Sequence, residues 1–229
     1  MSDDALFPGF PAGFADFLFS LQFNNTVAQL PENRAAYQRL ISEPLALLFR
    51  ALTPAALSVS ETLVAKPSKC VSTMYSDMRF SRDAPLKGYM YIRFREPHCE
   101  RDILGLYFDM GCDYYSCGLR IYKQSSAGME RIRACALENG PLFTRELENL
   151  SRLHMTLFGE TFAKDRYPGI QDGALKDLLN KRGFYVGRDC PVGEAVYNGQ
   201  LIGEITDAYH GLQGLYALLK KALYGGVVL

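Results

Sequence analysis

An α+β fold built as one domain is the class this sequence predicts, and three observations predict it. Helical apolar periodicity occupies both ends of the chain. β-Alternating segments fill residues 66–122, and no linker between these regimes is long enough to divide the chain into separate domains. The expected arrangement is a central antiparallel β-meander packed by flanking helices, a single α+β domain over residues 1–229.

Each element has its own local reason. Phe14, Phe17, Leu18 and Leu21 recur three and four apart after Pro11 and Gly13, the apolar stripe of a short helix ending near Asn24 and Asn25. Pro31 and Glu32 suit the first turn of a second helix, whose period runs through Tyr37, Leu40, Ile41, Leu45, Leu48 and Leu52 to Pro54. Pro44 should kink or split it. Three strands follow at residues 88–95, 103–110 and 113–122, with Gly111 supplying a tight hairpin between the last two. Ser125 or Ser126 caps a helix carrying Met129, Ile132 and Ala136 to Asn139 and Gly140, and another starts at Pro141.

Asp172 is placed to cap a helix bearing Leu175, Leu178 and Leu179, which Gly183 ends before a strand over 184–188. The last helix carries Ile202, Ile205, Tyr209, Leu212, Tyr216, Leu219 and Leu223. That spacing fits a coiled-coil seam for a homo-oligomer, but Gly211 and Gly214 weaken a free-standing helix and favour packing against the parent domain.

Composition bounds the function. With 48% hydrophobic and 22% charged residues the chain excludes disorder, and it holds no run of eighteen apolar residues, so no membrane partner is expected. Twenty-five Lys plus Arg balance twenty-five Asp plus Glu, which removes a global field toward nucleic acid. Any charge-based function must be local. The start of the chain lacks the basic and apolar segments of a secretory signal, so a cytoplasmic location is expected. The six cysteines then read as reduced thiols. Cys112 and Cys117 lack a second pair at zinc-ligand spacing, and neither metal nor other cofactor is expected.

Phosphate-binding glycine loops, a nucleophile elbow and a zinc-protease histidine pair are all missing from the sequence. His98, His154 and His210 lie in separate segments. No reaction follows, and whether the chain is an enzyme stays open.

One segment stands out. Between residues 66 and 101, eight basic residues (Lys66, Lys69, Arg79, Arg82, Lys87, Arg93, Arg95, Arg101) face four acidic ones (Asp77, Asp83, Glu96, Glu100). Within it, Met78-Arg79-Phe80-Ser81-Arg82-Asp83-Ala84-Pro85-Leu86-Lys87 resembles the Arg-Phe-Ser-Lys-Asp, Pro, aromatic, Lys signature of the family called domain of unknown function 2461. The resemblance extends over almost the whole chain, through residues 14–21, Asn24 with Tyr37, Glu43-Pro44, Gly118-Leu119 and Lys181-Arg182-Gly183-Phe184. The sequence departs from the family pattern in having Ala28-Gln29-Leu30 where a Trp-Phe pair is usual, Gly88 for threonine, and Ser116-Cys117-Gly118 for a glycine run. The resemblance implies a compact α+β fold and carries no known reaction.

Candidate binding residues come from charge and strand alternation. Arg79, Arg82 and Lys87 lie in a loop where they can converge on a phosphate or carboxylate, or where the arginines can instead pair with Asp77 and Asp83. Alternation places Tyr89, Tyr91, Arg93, Tyr107, Asp109, Arg120 and Tyr122 on one sheet face. That face suits a small anionic ligand, held by Arg79, Arg82, Lys87, Tyr89, Tyr91, Arg93 and Arg120. It also resembles a stacking platform for a nucleotide or single-stranded nucleic acid, a reading that zero net charge disfavours. Two alternatives remain: tyrosines buried under a covering helix, and a non-catalytic protein-interaction module with its apolar surface on a helix such as the C-terminal one.

Overall fold

The computed structural model describes residues 7–77, 83–97, 99–171 and 173–225. Helix α1 (Phe14–Ser20) buries Phe14 and Leu18, and Phe14 joins Phe10 and Tyr197 in an aromatic cluster. Helix α2 (Leu30–Tyr37) passes through a π-helical turn at Gln38–Ser42 into α3 (Glu43–Val59). Pro44 therefore does not end the run, which is interrupted by the π-helical turn directly before it. It has no N–H to give the carbonyl four residues back, and the helix widens by one residue just before it.

Pro54 also lies inside α3, which continues to Val59 rather than stopping there, while the Thr53 hydroxyl donates to the Phe49 carbonyl at 2.8 Å. Length and composition alone would let the continuous Val27–Val59 helix cross a membrane. Here it is a core helix: Leu45, Leu48, Phe49 and Leu52 are buried, with Phe49 stacked on Phe94.

After the single turn α4 (Pro67–Cys70) comes the meander β1 (Met90–Arg95), β2 (Ile103–Met110) and β3 (Tyr114–Tyr122). Helix α5 (Ser126–Glu138) has Ser125 as its N-cap, the hydroxyl accepting from the Gly128 amide at 2.9 Å. Then follow α6 (Gly140–Arg152), β4 (Thr156–Phe158), α7 (Ala174–Asn180), β5 (Tyr185–Pro191), α8 (Gln200–Gly211) and α9 (Gln213–Tyr224). Asp172, expected to cap α7, lies outside the described residues.

The sheet has five antiparallel strands in the order β1-β2-β3-β5-β4, so the expected meander is extended by two late strands on the β3 side. Its core face carries Ile92, Phe94, Leu106, Phe108, Cys117, Leu119 and Val186, aligned across the strands by the pairs Phe94↔Leu106, Leu106↔Leu119 and Leu119↔Val186. Phe94 meets Tyr209 of α8 edge-on as well as Phe49 of α3, which ties sheet and helices into one core.

The C-terminal apolar seam breaks into two helices at Leu212 and is buried inside this core, the packing alternative raised by its glycines. A Cβ at Gly211 would strike the Leu153 side chain at 2.5 Å, so the glycine is what lets the segment after α6 approach.

A buried carboxylate fastens the helices to the end of β1. Glu96, 3% exposed, accepts from Ser60 at 2.8 Å and Tyr216 at 2.9 Å, and pairs with Lys220 at 3.0 Å. Burial raises the Glu96 pKa, but hydrogen bonds from Thr62, Ser60, Lys220 and Tyr216 outweigh it and hold the group below the ordinary glutamate value. Its folded-state pKa thus lies under that of the unfolded chain. The stabilisation is present above the ordinary glutamate range and is lost as pH falls through the folded-state value.

We predict that Glu96→Gln will lower stability at pH 7 by about 3 kcal/mol, the low end for breaking a buried pair because Lys220 keeps some solvent access. Denaturant melts across pH should also show that the variant loses less stability on acidification than wild type does. Limited proteolysis should release no pair of separately stable fragments divided between Tyr122 and Pro141, as expected of a single domain.

Candidate functional site

Register decides what the second face of the sheet presents. The pairs Tyr91↔Asp109 and Asp109↔Ser116↔Asp189 make one row across four strands; Arg93↔Tyr107↔Gly118↔Gly187 make the next, and Gly105↔Arg120↔Tyr185 the third. Side chains alternate between faces along a strand, so these residues all lie opposite the hydrophobic core. The sequence-predicted grouping of Tyr91, Arg93, Tyr107, Asp109, Arg120 and Tyr122 is therefore one continuous surface.

Of its tyrosines Tyr107 is buried, Tyr91, Tyr122 and Tyr185 are half-buried, and Tyr89 and Tyr114 are exposed. The Tyr107 ring is 2% exposed because it lies over the glycine pair Gly118 and Gly187, and its hydroxyl meets Ser116 Oγ at 3.1 Å. A Cβ at Gly187 would run into the Tyr107 hydroxyl, and one at Gly118 into the Val186 carbonyl. Burial lifts the Tyr107 phenol well above its ordinary pKa, so it stays a neutral hydrogen-bonding group.

Cations and rings alternate across the face. Arg93 Cζ stands 3.7 Å from the Tyr91 ring centroid and 5.5 Å from that of Tyr122, and Arg120 Cζ 6.0 Å from Tyr122 and 5.2 Å from Tyr185. Tyr185 stacks on Phe158 of β4 at 4.8 Å, and Tyr89 approaches Tyr91 at 6.3 Å with nearly half its surface exposed. Lys87 Nζ bonds Thr73 Oγ1 at 3.3 Å and lies 5.5 Å from the Tyr91 ring; burial and the charge of Arg93 lower its pKa.

Ion pairing leaves this surface with a cationic surplus. Arg93 meets Asp109 at 3.7 Å, both partly buried, and burial raises the Asp109 pKa against the opposing pull of Arg93 and Arg120. Among the described residues, Lys87, Arg95, Arg120 and Lys123 have no carboxylate in ion-pair range. Three buried polar atoms here, Arg93 Nε, Asp109 Oδ1 and the Tyr122 hydroxyl, also lack a hydrogen-bond partner.

Two concavities open on the face. One, of 460 Å³, lies among Arg93, Arg120, Lys123, Gly159, Gly183 and Tyr185; the other, of 370 Å³, among Tyr107, Asp109, Tyr114, Ser116, Arg120, Tyr185 and Asp189. Arg120 and Tyr185 line both, so the two concavities adjoin across this pair. A larger concavity of 510 Å³ lies beside α5. Arg133 bonds the Leu179 and Lys181 carbonyls and Glu130, Arg182 pairs with Glu160, and Arg166 stacks on Phe162.

Of the sequence-predicted ligand residues, Lys87, Tyr89, Tyr91, Arg93 and Arg120 share this face, Lys87 and Tyr89 at its β1 edge. Arg79 and Arg82, with their proposed pairing to Asp77 and Asp83, lie outside the described residues. Sequence reasoning missed Tyr185 and Asp189, which alternate on β5, and Lys123. Nothing local to β5 announces that it pairs with β3, over sixty residues earlier. His210 meets Ser58 of α3 at 3.0 Å among the helices, away from the groove.

The motif that drew attention to the basic loop is tethered by an earlier asparagine. Asn25 donates through Nδ2 to the Leu86 carbonyl at 2.7 Å and accepts from the Leu86 amide at 3.0 Å, both buried, which pins the chain just before β1. These residues lie inside a match to the family model described as conserved hypothetical protein (DUF2461), which covers residues 13–217; the chain belongs to that family. No curated protein matches it.

The glycine bed yields a test. Gly187→Ala should displace the Tyr107 ring and cost about 1–3 kcal/mol of stability by overpacking. It should also raise Tyr107 exposure, measured as a downward shift of a slow phenol titration followed by ultraviolet absorbance. An unshifted titration with wild-type stability would show that the ring does not depend on the glycine.

Proposed function

We propose that this DUF2461 member binds a small anionic ligand, bearing phosphate or carboxylate, in the groove on the open sheet face. The observation that carries the reading is Arg120: exposed, without a carboxylate partner among the described residues, and shared by both concavities. Lys123 and Arg93 stand beside it on the basic side, with Lys87 at the β1 edge. Tyr122 and Tyr185 flank the guanidinium with ring faces, and an anion would gain charge-assisted hydrogen bonds from it.

The alternative of a protein-interaction module has an observation of its own, though not on the C-terminal helix. Phe19, Phe23 and Val27 are exposed on and just after α1, with the two phenylalanine rings edge to face at 5.5 Å. That patch is remote in sequence from the groove residues, and it leaves the unpaired cations without a purpose.

Titration calorimetry with inorganic pyrophosphate, nucleoside monophosphates and dicarboxylates should find a ligand whose affinity falls as salt rises. Arg120→Ala should weaken it by roughly ten- to a hundredfold, the worth of one charge-assisted bond at about 1.5–3 kcal/mol, without lowering the melting temperature. Lys87→Ala should weaken it less. If none of these anions binds or raises the melting temperature, the anion reading fails.

A further inference from the structure

The groove has a polarity that an anion alone does not use. Along β3, Lys123, Tyr122 and Arg120 stand at one end and Ser116 and Tyr114 at the other, roughly 13 Å apart at about 3.4 Å per residue. At the Ser116 end two carboxylates flank the strand: Asp109 of β2 and Asp189 of β5 are the direct register partners of Ser116. Asp189 has no ion-pair or side-chain hydrogen-bond partner among the described residues, and Asp109 has only Arg93 at 3.7 Å. Tyr107 and Tyr114, the latter 43% exposed, line the same concavity.

Carboxylates beside aromatic rings are the chemistry that recognises an organic ammonium group, through ion pairing to the acids and cation–π attraction to the rings. The two aspartates stand on strands either side of β3, so their backbones are about two strand spacings, roughly 10 Å, apart. That separation suits an alkylammonium seated over Ser116 between them better than a bare metal ion, which would need both carboxylates within bonding distance.

Resting on the anion reading above, we propose that the ligand is bipolar: a phosphate or carboxylate held by Arg120 and Lys123, joined by a short spacer to a protonated amine held by Asp109 and Asp189. The shared walls of the two concavities, Arg120 and Tyr185, are where the spacer crosses. This arrangement also accounts for acidic residues within a face otherwise rich in unpaired cations.

Pairs of probes differing only in the amine decide it. An ω-aminoalkyl phosphate should bind wild-type protein roughly tenfold more tightly than the alkyl phosphate of the same length. The advantage should peak at one spacer length. Asp189→Asn, at an exposed position where the fold should tolerate it, should bring the two probes to the same affinity, whereas Arg120→Ala should weaken both.

Equal affinity of the two probes for wild type at every spacer length would overturn the bipolar assignment and leave the anion site standing. So would an amine advantage that survives in Asp189→Asn combined with Asp109→Asn. Failure of both probes to bind would remove the anion site and the bipolar ligand together.

Discussion

The close approach of Tyr107 to a bed of two glycines is the contact on which the open face depends. Gly118 and Gly187 are direct partners on neighbouring strands, and neither position has room for a Cβ. A Cβ at Gly187 would strike the Tyr107 hydroxyl and one at Gly118 the β5 backbone, so the first glycine admits the ring and the second the strand. The helices concentrate on the opposite side, where Phe49, Phe94 and Tyr209 meet. A larger residue at Gly187 would force the ring outward and open the middle of the sheet to water. Gly187 thus leaves the Tyr107 hydroxyl the space that a Cβ would take.

Electrostatics give that face its direction. Two carboxylates in the structure show opposite outcomes of the same competition between desolvation and hydrogen bonding. Glu96 is deeply buried but receives four donors, and it stays ionised. Asp109 is less completely buried and has only a long contact to Arg93, so desolvation prevails and its pKa rises. The first is a finished structural node. The second is an incompletely satisfied group beside an unpartnered guanidinium nitrogen and an unpartnered phenol. Leaving buried polar atoms unpaired costs on the order of 1–3 kcal/mol each, and the helix side carries such atoms too, in the Tyr37 and Tyr209 hydroxyls and Arg188 Nε.

How much of this was legible in the sequence follows from the range of the interactions involved. The three meander strands and the shared face of Arg93, Tyr107, Asp109 and Arg120 are written in period-two alternation joined by short connections, and Ser125 is a cap readable from a few residues. The α3 helix ran past Pro54 because its apolar stripe continues to Ala55 and Ala56, and burial of that stripe outweighs one missing backbone bond. The break at Leu212 and the pairing of β5 with β3 were not legible, because both are set by distant partners: Leu153 against Gly211, and Gly118 against Gly187. The acidic half of the groove was missed for the same reason, since Asp189 reaches it only through that strand pairing.

The residues that carry the family resemblance divide along this line. Leu86, inside the signature segment, is held through its backbone by Asn25, and Gly118 is spent on the approach of β5. Gly183 lies against Gln124, whose side-chain oxygen accepts from the Phe184 amide at 2.9 Å just before β5 begins. Each of these holds a loop or strand around the open face rather than offering a group to a ligand. Arg93, Arg120, Asp109 and Asp189, which do present charge there, fall outside the matched motifs. The scaffold and the charges of this face are therefore set by different positions, so the charges can change without refolding the sheet. For that reason exchanging the charges at Arg120 and Asp189 tests the proposed binding more cleanly than altering the signature segment at residues 78–87.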